Sequence, residues 1–85
     1  MTEITLKLSG REAQQILDGL LQMGYDHGKR AEKEELRVTE HQMDENEIGE
    51  RMASARAKSS RDKEAAAYSA YEKVKAEAMR LGLIF

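Results

Sequence analysis

The sequence predicts a mainly α protein, a short N-terminal strand followed by an antiparallel helical hairpin, assembled as an oligomer. Three observations carry this. Apolar residues recur at three- and four-residue steps over most of the length, the two-residue alternation of a strand occurs at residues 3–8, and no proline interrupts the 85 residues. The chain ends on Leu83-Ile84-Phe85. Three large apolar side chains left in water forfeit roughly 1.5–3 kcal/mol each, so the body of the protein or another copy must cover them.

Taken in order, Ile4, Leu6 and Leu8 alternate with Thr5 and Lys7, as in a half-buried strand that needs a neighbour for its backbone groups. Ser9-Gly10-Arg11-Glu12 has the spacing of a capping box and predicts a helix over 10–23, with Ala13, Ile16, Leu17, Leu20 and Leu21 as its apolar stripe. Gly24 and Gly28 weaken a helix by up to about 1 kcal/mol each, so a break or kink is expected there. Residues 29–42 are nearly all charged or polar around Leu36 and Val38, which suits a solvated helix or partial disorder.

Asp44, with Glu47 three residues on, reads as the N-cap of a long helix over 45–81, the longer arm of the hairpin. Acids in its first turns and Arg51, Arg56, Lys58 and Arg61 in later ones follow the order the helix dipole favours, and Ile48, Met52 and Ala55 mark its buried side. Ser59-Ser60 is poor helix interior without steric prohibition, so the helix is expected to continue. Ala67, Tyr71, Val74, Ala78 and Leu81 form a seam typical of antiparallel helix pairs. Gly82 is placed to end the helix in the left-handed conformation and turn Leu83 back onto its last turn.

Composition narrows the function. One small domain, 1–85, has a thin core at this length, and with no cysteine to staple it, association is the remaining device. A net charge of −2 with 35% charged residues argues against a globally basic nucleic-acid binder. No run is long and apolar enough for a membrane span and the N-terminus lacks a signal-peptide layout, so the expected location is the cytoplasm. His27 and His41 match no metal-ligand spacing, no Gly-rich phosphate loop is present, and neither Ser59 nor Ser60 has a histidine nearby in sequence to activate it. No catalytic, cofactor or metal residues are assigned, and the chain reads as a non-enzyme.

Two groups of residues remain. Ile48, Met52, Tyr68, Tyr71, Leu83, Ile84 and Phe85 are the candidates for contact with another protein or another copy, because aromatic and large apolar groups dominate such contacts. Arg51, Arg56, Lys58, Arg61 and Lys63 are less neutralised than the Lys29–Arg37 region, where Glu32, Glu34 and Glu35 interleave, and are the candidates for contact with an anion.

The segment Glu3–Gly24, in which Ile-Thr-Leu-Lys-Leu runs into a capped helix, resembles the opening of ribbon-helix-helix repressors. That resemblance implies DNA contact by Thr5 and Lys7 and a second amphipathic helix immediately after, which Lys29–Gln42 does not supply. In overall character, short, cysteine-free, and strand then helices, the chain resembles small accessory proteins of phages and prophages, which implies a module that binds and inhibits or regulates a host factor, such as one of a defence system, in the host cytoplasm. The expected function is therefore protein interaction, with DNA regulation or sequestration of a small phosphorylated ligand by an oligomer as alternatives.

Overall fold

A computed structural model of the protein describes residues 7–84. Two helices of equal length make up almost all of it: α1 (Gly10–Met43, 34 residues) and α2 (Glu47–Arg80, 34 residues), packed antiparallel as a hairpin. Among the described residues there is no strand. Residues 3–6 of the expected strand, and Phe85, lie outside the described residues, while Lys7 and Leu8 belong to no helix or strand.

The start of α1 follows from its sequence. The Ser9 hydroxyl accepts from the Glu12 N–H at 3.1 Å, and the Glu12 carboxylate accepts from the Ser9 N–H at 3.0 Å, closing the capping box. That bond holds the Glu12 carboxyl below its ordinary range, chiefly through the Ser9 backbone. The helix then continues through Met23–Gly28 without interruption. The expected break is absent because Gly24 and Gly28 are both buried on the face of α1 that meets α2, under Tyr68 and Glu64 respectively. Lys29–Gln42 is likewise continuous helix, its Ala31 buried and its Val38 half-buried against α2.

The reversal differs from the sequence reading by two residues. Asp44 closes α1, its N–H donating to the Glu40 carbonyl at 3.0 Å, Glu45 takes a positive φ of 57°, and Asn46 begins α2. The Asn46 side chain accepts from the Gly49 N–H at 3.0 Å, so it is the N-cap of α2 that had been expected at Asp44. α2 runs through Ser59-Ser60 unbroken. It stops in a Schellman motif: Leu83 N–H donates to the Ala78 carbonyl at 2.8 Å, Gly82 N–H to Met79 at 3.1 Å, and Gly82 supplies the left-handed φ of 72°.

The seam between the helices is built from small residues. In α1 the buried and half-buried positions step by three and four through Ala13, Leu17, Leu20, Gly24, His27 and Ala31; in α2 they step through Ala53, Ala57, Ser60, Glu64, Ala67, Tyr71, Val74 and Ala78. Leu17, 2% exposed, is the single large apolar side chain fully buried in this seam among the described residues. The buried side of α2 is therefore Ala53 and Ala57, not Ile48, Met52 and Ala55, all of which are exposed. Leu81, expected in the seam, is 53% exposed. The resulting body measures 55 × 27 × 14 Å, a single layer of helix.

Candidate interaction surface

Because the seam takes small side chains, the large apolar ones are displaced to the outside. The hairpin presents them in three places: two flanks of its base half, where the N-terminus of α1 meets the C-terminus of α2, and the turn end.

On the first flank the chain covers itself in part, with Leu21 and Tyr25 still 42% and 56% exposed. A Cβ at Gly24 would stand 2.5–2.9 Å from three carbons of the Tyr68 ring, so the ring lies directly on the glycine backbone. Lys29 sits over the Tyr25 ring at 5.4 Å from its centroid and Lys75 over Tyr71 at 5.8 Å. Further along, Arg61 grips Glu35 with two bonds of 2.7 and 3.1 Å and reaches Glu64 at 2.9 Å. These hydrogen bonds hold the Glu35 carboxyl below its usual range and raise the Arg61 guanidinium. Tyr68 remains 38% exposed and Tyr71 is half-buried.

The second flank is open. Leu20, Met23 and His27 of α1 face Lys63, Ala66, Ala67 and Ala70 of α2 across a shallow groove. Neither Lys63 nor Lys73 makes an ion pair among the described residues, and His27 Nδ1 is buried without a hydrogen-bond partner. Toward the base lies an apolar hollow between Leu8, Ala13, Val74, Ala78, Leu81 and Leu83, with Lys73 and Glu77 also on its lining. The tail residues are half-buried, Leu83 beside this hollow and Ile84 beside Gln14, Leu17, Tyr71 and Lys75 on the first flank, and the Leu83 carbonyl lies close enough to Gly10 that a Cβ on that glycine would be 2.7 Å away. They fold back on the body, as Gly82 dictates.

At the turn end Leu36, Met43, Ile48 and Met52 are 65%, 79%, 73% and 55% exposed. All four lie within roughly two helical turns of the reversal. Ile48 and Met52 had been picked out by sequence as contact candidates; Leu36 and Met43 had not, because each stands alone among polar neighbours.

The basic candidates do not converge. Arg61 is engaged by Glu35 and Glu64 on the first flank, Arg56 is bonded to Glu34 at 3.0 Å with Arg37 on the same carboxylate at 2.9 Å, and Lys63 faces the second flank. Arg51 and Lys58 are exposed. Among the described residues no cluster of His, Asp and Glu assembles that could hold a metal ion, and no helix is long and apolar enough to cross a membrane. The groove at Leu20, Met23, Ala66 and Ala70 was missed in the sequence; its signal was the pair Ala66 and Ala70, four apart on the face beside the seam. No protein-family model matches the chain, and neither a curated protein nor a solved structure shows significant similarity to it.

Proposed function

We propose that the chain is a non-enzymatic interaction module: a helical hairpin that associates with itself through its base half and offers its turn end to another protein. The observation that carries this reading is the inverted placement of its apolar residues. Small side chains fill the seam while Leu36, Met43, Ile48 and Met52 are left in water. A lone surface apolar residue needs no explanation, but four within about two turns of one reversal make the turn end the apolar end of the hairpin offered to a partner. The helical faces and the scattered, internally paired charges favour a protein over an anionic ligand as the target. In its narrower form, the module is a phage-type inhibitor that acts by covering a surface of a host factor.

The test is affinity capture from bacterial lysate with the wild type and with Ile48→Glu/Met52→Glu. Both positions are exposed, so the double variant should keep its helix content and melting temperature while losing the captured protein. Identical capture by the folded variant would remove the turn end from the proposal. Sedimentation equilibrium at micromolar concentration tests the other half, with a mass well above 9.6 kDa expected.

A further inference from the structure

A hairpin one helix thick cannot enclose its own core. The accessible surface is 6776 Å². A compact monomer of this mass exposes about 5,100 Å², and the surplus of about 1,700 Å² is shared between the hairpin and the residues at both ends of the chain. The second flank holds an apolar part of that surplus in one groove, between Leu20 and Met23 of α1 and Ala66, Ala67 and Ala70 of α2, where no cation or ring lies across it as Lys29, Lys75 and Tyr68 do on the first.

The charges on this flank select the occupant. Lys63, Ala70 and Glu77 succeed one another at seven-residue intervals on α2 and so share a face. The row is antisymmetric about Ala70: a cation one heptad before it, an anion one heptad after. A second copy laid antiparallel with Ala70 against Ala70 sets Lys63 opposite Glu77 of the other copy, twice by symmetry, whereas a parallel copy sets like charges opposite each other. Ala66 and Ala70 let the two backbones approach closely. The same axis suits α1. Tyr68 over Gly24 and Leu83 beside Gly10 fix the level of one helix against the other and place Met23 abreast of Ala70. One heptad either side of Met23 stand Ile16 and Arg30, so the antiparallel copy lays an arginine stem over an isoleucine.

We infer that the second flank is the contact between two copies of this chain, related by a two-fold axis at Met23 and Ala70, with Lys63 of each facing Glu77 of the other. This rests on the self-association proposed above and names the face and register through which it occurs. Two hairpins joined this way make a four-helix layer pair in which Leu20 and Met23 become core. Glu77 exchanges an exposed pairing with Arg80, three residues along its own helix, for one across the interface.

The absence of native cysteine makes the test direct. Ala70→Cys lies on the axis and should form a disulfide-linked dimer under mild oxidation, while Ala65→Cys, exposed on the other side of α2, should stay unlinked. Lys63→Glu should raise the dimer dissociation constant about tenfold through its two symmetric pairs, Glu77→Lys similarly, and the double reversal should restore it. Circular dichroism establishes that each variant remains helical. A wild type that sediments as a 9.6 kDa monomer would overturn self-association and this interface with it. A dimeric wild type in which Ala65→Cys links as readily as Ala70→Cys, or in which the double reversal fails to rescue, would leave self-association standing and overturn the face and register alone.

Discussion

Gly19, Gly24 and Gly28 sit on one helix, yet what a methyl group would meet at each is different. At Gly19 nothing lies within 4 Å, so Gly19→Ala should stabilise the protein by about 0.5–1 kcal/mol, the ordinary helix-interior difference. At Gly24 the same methyl displaces the Tyr68 ring that covers it, and the lost contact should outweigh the gain in propensity. Urea denaturation of the two variants should therefore move the midpoint in opposite directions. A rise for both would mean that Tyr68 swings aside without loss. Sequence could not make this distinction. Helix propensity scores a glycine by its own backbone freedom and is blind to the ring that another helix, more than forty residues on, lays over it, which is why Gly24 and Gly28 read as a break.

The elements were legible in kind and less so in phase. The Ser9 and Glu12 capping box, the unbroken passage through Ser59-Ser60 and the left-handed Gly82 depend on residues within four positions of each other, and the structure holds each of them. The start of α2 was displaced because Asp44-Glu45-Asn46 offers two capping residues and only the requirement that the chain reverse decides between them. Asn46→Ala should cost about 0.5–2 kcal/mol, and Asp44→Ala, at the carbonyl end of α1, should change stability by less than about 0.5 kcal/mol. Thermal melts that ranked the two the other way would return the cap to Asp44. The buried side of α2 was misassigned for a related reason. Hydrophobic periodicity weights large side chains and so selected Ile48 and Met52, whereas two closely packed helices select small ones and buried Ala53 and Ala57. The contact candidates at the turn end were legible for this reason in half: Ile48 and Met52 caught attention by size alone.

Over the whole molecule, a thin apolar core gives the carboxylate bonds a visible share of stability. Glu12, Glu35 and Glu77 are each held below the ordinary carboxyl range, by Ser9, Arg61 and Arg80 respectively. A depressed folded value means the stabilisation is complete above the unfolded value near 4.5 and is lost as pH falls through the lower folded values. The melting temperature should thus hold from pH 7 to about 5 and fall below it. Glu35→Gln, which cannot titrate, should begin lower at neutral pH and show a shallower acid slope. The expectation of an oligomer came from length and the missing cysteine, which bound the core without locating a surface; the open flank became visible only once both helices had a common level. The hairpin also brings its first and last turns together at one end, with Leu83 against Gly10. Joining the two ends by a short flexible linker and opening the chain at Glu45 should give a circular permutant that rebuilds the same pair of helices in reversed order, because neither helix depends on the other preceding it.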